Sequence, residues 1–339
     1  MEYIKKYYLD IEKTIISIIN KDIASHEKLK TMIKYAFGFV DKQGKELNEI
    51  KYRGKRLRPG LLLLLCDSLG CDHRKALPIA AAIEIFHNFS LVHDDIMDND
   101  KKRRWKRTNW DIFGIPQSIN TGDAMLILSN LAILRISSKE IRREDKLYII
   151  DIINRAFLKI IEGQFLDLSF EEREDVGIRE YLNMINKKTA VLFGVCCEAA
   201  ALVAEEKKAT VEFLRKLGLY FGLSFQIKND IEGVWGGFEK SGKTGASDLK
   251  KRKKTLPIIY AMQKLPLNKK KLFLQIYRKK RIDNNDIKKL ILYMNEVNAR
   301  VYSDKLAQNY KLKALNFLNK IKMKNSAKKN ILTLLNINL

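Results

Sequence analysis

Turn-forming residues are scarce in this chain. Seventeen glycines and five prolines punctuate 339 residues. Between them run long stretches in which apolar residues return every three to four positions, the spacing that lines one face of a helix. Sandwiches and barrels need more turns than this, so an all-α fold is expected. Hydrophobic residues make up 46% of the chain, enough for one sizeable core or two smaller ones. No repeat, low-complexity linker or composition shift marks a boundary. A single domain over residues 1–339 is therefore expected.

Residues 1–50 read as amphipathic helix with a break near Gly44. A compact basic segment follows at residues 51–59, and Pro59 suits the first turn of the apolar helix after it. A long helix is expected from 77 to about 98, with Ile79, Ile83, Phe86, Ser90 and Met97 on its apolar face. Residues 99–107 are charged and read as a loop. Pro116 begins another helix containing Gly122 and Asp123. Further helices are expected over 141–170, 178–204 and 216–234. Gly233, Gly236, Gly237, Gly242 and Gly245 then form the most flexible stretch. Lysine-rich amphipathic helices follow Pro257 to the end.

The formal net charge is +24. Such an excess suits nucleic acid or an anionic membrane when it is gathered in one place. Here lysines recur in nearly every block, without a basic arm or an aromatic-interleaved basic patch. A nucleic-acid partner is not expected, although the positive field would attract small polyanions. Cys66, Cys71, Cys196 and Cys197 lack metal-ligand spacing and read as buried free thiols in a reducing compartment. The N-terminus has no apolar run of the signal-peptide kind, and the most apolar stretch, residues 61–65, is too short to span a bilayer. A cytoplasmic protein without stable membrane insertion is the expectation.

Asp94, Asp95 and Asp98 carry the first chemical signal. On a helix, 94 and 98 lie one above the other and 95 is offset by about 100°. Two carboxylates about 6 Å apart repel by roughly 3 kcal/mol at an effective dielectric near 20. A cation between them removes that cost. Oxygen ligands without His or Cys point to magnesium, which keeps waters and binds substrate phosphates. A solvated acidic helix end is the plain alternative, but a helix C-terminus is the unfavourable end for negative charge.

Cations surround this triplet in the sequence. Lys55, Arg56 and Arg58 precede it, His87 lies seven residues before Asp94, and Arg103 and Arg104 follow. They suit a diphosphate bound without metal. Farther on, Lys187-Lys188-Thr189 precedes an apolar helix, and Gln226 and Asp230 precede the glycine-rich stretch that holds Lys243.

The order Gly54-Lys55-Arg56-Leu57-Arg58-Pro59, Leu91-Val92-His93-Asp94-Asp95-Ile96-Met97-Asp98 and Arg103-Arg104 resembles the trans-isoprenyl diphosphate synthases, the polyprenyl synthetase family. Gly163-Gln164-Phe165-Leu166-Asp167-Leu168, Lys188-Thr189-Ala190, Phe225-Gln226-Ile227-Lys228-Asn229-Asp230, Gly242-Lys243, Ser247-Asp248-Leu249 and Lys253-Lys254-Thr255-Leu256-Pro257 fall where that family has its later motifs. The resemblance covers residues 50–262. The tail over 266–339 matches only in being helical.

The resemblance implies a single large helical bundle around a central cavity, the isoprenoid synthase type, working as a homodimer. It also implies a magnesium-dependent reaction. An allylic diphosphate loses diphosphate, isopentenyl diphosphate attacks the resulting cation, and a proton leaves. By the same resemblance Asp94 and Asp98 are magnesium ligands assisted by Asp95, with Asn229 and Asp230 as the second metal-binding group. Lys55, Arg58, His87 and Arg104 would hold isopentenyl diphosphate. Arg103, Lys188, Thr189, Gln226 and Lys243 would hold the allylic diphosphate or its developing charge.

Two departures stand out. The family's second acidic motif, Asp-Asp-x-x-Asp, reads Asn229-Asp230-Ile231-Glu232-Gly233 here, with Glu232 as a partial substitute. Trp105-Lys106-Arg107-Thr108 stands where Gly-x-Pro-Thr is commoner. Phe89 lies five residues before Asp94, where an aromatic side chain implies a short product, and Ser90 beside it is small. Geranylgeranyl diphosphate is therefore expected over farnesyl diphosphate. The competing readings are a class I terpene cyclase and a non-catalytic subunit of a heteromeric synthase. The cyclase has no use for Lys55, Arg58, His87 and Arg104, and the intact first motif speaks against a non-catalytic subunit.

Overall fold

The structure, a computed structural model, describes residues 2–137, 141–236 and 246–337. Its contacts divide the chain into two compact units. One comprises Met1–Asn154, Val195–Glu212 and Lys322–Leu334, the other Arg155–Gly194, Phe213–Ile321 and Leu335–Leu339.

The first unit contains α1 (Glu2–Lys5), α2 (Tyr8–Asp22), α3 (Glu27–Phe37), α4 (Leu57–Ser68), α5 (Leu77–Met97), α6 (Asn109–Phe113) and α7 (Ile115–Leu134). The expected helix over 1–50 is thus three helices, the last closed by Gly38 in the left-handed region at φ 75°. Residues 61–65 are fully or nearly fully buried, as their unbroken leucine run requires. The central helix, α5, packs against α2, α4 and α7. Ile79, Ile83 and Phe86 are buried on it as expected, but Met97 is 48% exposed because the last turn leaves the core. His73–Met97 is long and apolar enough to cross a membrane, contrary to the expectation that no stretch is. Two thirds of its apolar window is buried inside the protein, which accounts for its composition as that of a core helix.

Residues 99–107 are more ordered than the expected loop. Two short strands, β1 (Lys102–Arg103) and β2 (Lys106–Arg107), pair antiparallel. Arg104 (φ 48°) and Trp105 (φ 66°) form the corner. A two-residue hairpin turn needs this left-handed backbone at both positions. Glycine adopts it without strain, whereas Arg104 and Trp105 hold it against their backbone preference. Thr108 Oγ1 and Trp110 Nε1 both donate to the Asp100 carbonyl, at 2.7 and 2.9 Å, fastening the hairpin's base.

The remaining helices are α8 (Arg143–Glu171), α9 (Ile178–Ile185), α10 (Val191–Val203), α11 (Lys208–Trp235), α12 (Ser247–Lys250), α13 (Leu256–Lys264), α14 (Leu267–Tyr277), α15 (Asn284–Glu296), α16 (Ala299–Asn319) and α17 (Asn325–Ile337). Between α9 and α10 the chain makes a π-helical turn, Asn186–Ala190. The second unit's core gathers Tyr181, Met184, Ile227 and Ile231 with Leu256 and Ile259. Beside it, Phe273, Leu290 and Met294 form a further apolar cluster.

Within the second unit, lysines lie against a local stack of aromatic rings. On α11 and α16, Tyr220 stacks with Tyr310 and Phe317, and Lys313 and Lys320 lie over these rings. All four cysteines are free. Cys66, Cys196 and Cys197 are buried, but Cys71 is only partly so. Burial pushes the Cys196 thiol up to about 12.

Candidate functional site

The last turn of α5 separates the first acidic triplet. Asp94 and Asp98 are half-buried, one turn apart, with the Asp98 N–H donating to the Asp94 carbonyl at 2.8 Å. Asp95 is buried and receives Arg103 Nε on Oδ1 at 2.6 Å. Burial raises its carboxyl to about 6 against the opposing pull of Arg103. Among the described residues no group of three His, Cys, Asp or Glu gathers closely enough to hold a metal alone. The donor chemistry at Asp94 and Asp98 still fits magnesium, which completes its shell with water and phosphate oxygens.

The basic residues of the first unit converge. Arg58 Nη1 lies 3.3 Å from His87 Nε2. Burial, then the charges of Arg58 and Arg104, holds the imidazole pKa far below its usual value, so His87 is neutral and accepts from Arg58. Arg104 Nη1 donates to Asn88 Oδ1 at 3.2 Å and to the Arg53 carbonyl at 3.4 Å. Its guanidinium lies over Gly54, where a Cβ would come within 2.6 Å of Arg104 Cζ. Burial lowers Arg104 to about 10, so it remains charged near neutrality. Lys55 is exposed, and its carbonyl accepts from the Tyr8 hydroxyl at 2.5 Å.

A buried network that the sequence did not reveal supports this group. Arg56 Nη1 donates to Glu84 Oε1 at 2.6 Å, and Arg56 Nη2 is 3.5 Å from Glu12 Oε1. Asn88 Nδ2 donates to the same Glu84 oxygen at 2.9 Å, and Asn88 in turn holds Arg104. Arg56 is therefore a support rather than a free cation. Asp95, Arg103, Arg104 and Lys106 line a cavity of about 20 Å³, room for one water. Burial and Arg104 lower Lys106 to about 7, and its ammonium sits 3.9 Å from the Tyr35 ring centroid. Phe89 is buried, 5.2 Å from the Phe86 ring and 4.8 Å from His93. Ser90 Oγ donates to the His87 carbonyl at 2.9 Å.

In the second unit Thr189, Gln226 and Asp230 form one hydrogen-bonded series. Thr189 Oγ1 donates to Gln226 Oε1 at 2.9 Å, and Gln226 Nε2 donates to Asp230 Oδ1 at 2.7 Å. The Tyr181 hydroxyl donates to Asp230 Oδ2 at 2.7 Å. Burial, then Asp248, raises the Asp230 carboxyl to about 7. Lys188 Nζ donates to Asp167 Oδ2 at 2.7 Å, and Lys253 Nζ lies 3.4 Å from the same oxygen. Asn229 is half-buried. Tyr181, Asp167 and Lys253 were missed as site residues. The signals were present, since Asp167 and Lys253 stand in motif runs and Tyr181 lies one helix before Lys188. Lys243 lies outside the described residues.

The polyprenyl synthetase family matches residues 45–294. A (2E,6E)-farnesyl diphosphate synthase from Mycobacterium tuberculosis is 37% identical over 234 residues. That match covers 69% of this chain and 63% of the mycobacterial protein, so the chain spans less than two thirds of that relative's length. A geranylgeranyl pyrophosphate synthase from Geoglobus acetivorans is 38% identical over 261 residues, covering 77% of this chain and 79% of its own. The crystal structure of a polyprenyl synthetase from Streptomyces coelicolor superposes with a TM-score of 0.89 at 26% identity, covering 99% and 98% of the two chains. The extent of these matches, together with the all-α isoprenoid synthase fold, shows that the chain belongs to the polyprenyl synthetase family.

Proposed function

We propose that the protein is a magnesium-dependent trans-prenyltransferase. It joins isopentenyl diphosphate to an allylic diphosphate and releases a short-chain prenyl diphosphate, geranylgeranyl in preference to farnesyl. The observation that carries this reading is the convergence of Arg58, His87 and Arg104 close to the chain segment bearing Lys55. A terpene cyclase, which uses no second diphosphate substrate, has no role for that group. The relatives named above are farnesyl and geranylgeranyl synthases, which supports a short product.

Lys55, Arg58 and Arg104 bind the diphosphate of isopentenyl diphosphate by charge and hydrogen bonds. Neutral His87 orients Arg58 and adds no cost of a further buried cation. The Glu84–Asn88 pair fixes Arg104, so little side-chain entropy is lost on binding. Magnesium, when bound at Asp94 and Asp98, supplies charge neutralisation to the departing diphosphate. Lys188, Thr189 and Gln226 orient the allylic diphosphate. Asp230 anchors Gln226 and through it Thr189.

Exposed apolar stripes support a homodimer. On α7 they are Ile127, Leu131 and Leu134, and on α8 Leu158, Ile161 and Phe165, with Phe165 71% exposed. Each stripe repeats at helical spacing, as a face covered by a second copy would. A cytoplasmic location accords with the free cysteines. The test is incubation of the pure protein with magnesium, labelled isopentenyl diphosphate and each allylic primer, followed by product sizing. Elongation is expected; its absence with every primer would sink the reading.

A further inference from the structure

The second acidic motif is poor in free charge. Both oxygens of Asp230 accept from protein donors. Glu232, the expected partial substitute, is exposed while Gly233 beside it is buried, so the two lie on different faces of α11. Position 233 nevertheless meets a carboxylate. A Cβ built on Gly233 would lie 2.5 Å from Asp248 Cγ and 2.8 Å from Asp248 Oδ1, with Oδ2 closer still. Asp248 belongs to α12, a separate helix, and lays its carboxylate against the bare backbone of Gly233. Any side chain at 233 would displace it. Asn229 stands one turn before Gly233 on α11, so the same helix face carries the Asn229 amide and the Asp248 carboxylate.

We infer that Asp248 supplies, from α12, the carboxylate that α11 lacks at the third position of the motif. The second motif is then assembled from two helices, with Asn229 contributing an amide oxygen and Asp248 the negative charge toward a magnesium–diphosphate complex. The inference rests on the magnesium–diphosphate reading proposed above. It explains a glycine at 233 as the space that Asp248 occupies, rather than as the loss of a ligand. A purely structural role is the rival, since Asp248 sits in the first turn of α12 and accepts from Ser247 Oγ at 3.2 Å on Oδ1.

Titration of the full-length protein with manganese in the presence of inorganic diphosphate separates the two, because bound manganese is counted by its spin resonance without any turnover. Asp248→Asn is expected to weaken manganese binding about tenfold or more and to remove one bound ion per chain. The exchanged pair, Gly233→Asp with Asp248→Gly, is expected to restore both. Manganese binding by Asp248→Asn equal to that of the unaltered protein overturns the inference. Should Asp248→Asn fail to fold, the exchanged pair decides: recovery supports the inference, and a folded pair without recovery overturns it. If the unaltered protein neither binds manganese with diphosphate nor elongates a primer, the parent reading falls too. Normal binding and turnover with an indifferent Asp248→Asn removes this inference alone.

Discussion

Arg103 Nε stands 2.6 Å from Asp95 Oδ1, joining the hairpin strand β1 to the last turn of α5. The middle aspartate of the first motif is thereby neutralised within the protein, while Asp94 and Asp98 stay half-buried on either side of it. Asp94→Ala and Asp98→Ala should each reduce kcat by about a hundredfold or more, as loss of a group stabilising charge in the transition state does. Asp95→Asn keeps the shape and one acceptor for Arg103, and its loss should be nearer tenfold. Steady-state rates of the three variants check this, and equal losses would refute the division of roles.

Lys106 gives a pH dependence of stability. Its folded pKa of about 7 lies below the ordinary 10.5. Between these values the unfolded chain holds a proton that the folded protein has released, so stability rises with pH across that window and is lowest below about 7. Lys106→Met removes the effect. The gain in Tm from Lys106→Met should be larger at pH 6.5 than at pH 9.5. Parallel pH profiles for the two proteins would contradict it.

Gly163 holds two segments of the second unit in contact. A Cβ there would fall 2.7 Å from Lys188 Cα and 2.9 Å from the Lys187 carbonyl carbon. Gly163→Ala should therefore cost about 1–3 kcal/mol through overpacking and shift Lys188 away from Asp167. Urea unfolding reads the first effect and KM for the allylic substrate the second. An unchanged midpoint would show that the contact yields freely.

Phe89 stands where the resemblance implies a limit on product length. Phe89→Ala should move the product distribution toward longer chains in the elongation assay, since the removed ring leaves space beside Phe86 and His93. An unchanged product would make Phe89 a packing residue only.

The helices were legible where apolar spacing was strong. The expected span of α5, 77 to about 98, differs from Leu77–Met97 by one residue. The break between α2 and α3 was not legible, because residues 23–26 contain neither Gly nor Pro. α11 begins at Lys208 rather than 216 because its first turns carry a polar surface that masks the apolar period. Within the site, the separation of Asp94 from Asp98 was readable as one helical turn. The Glu12–Arg56–Glu84 ion pairs were not, since their partners lie 44 and 28 residues apart and no local period connects them. The direction of Asp95 depended on the Arg104–Trp105 corner, whose backbone runs against the preference of both residues.

The π-helical turn at Asn186–Ala190 places one surplus residue just before α10. Each added residue advances a helix by about 100°, so the register of α10 relative to α9 is set by that insertion. Deleting a single residue between 186 and 190 would barely shorten the chain, yet it would rotate the anchoring of Lys188 and Thr189 out of phase with the apolar side of α10. At this place the fold keeps count in single residues, and insertions or deletions there should be far less tolerable than substitutions.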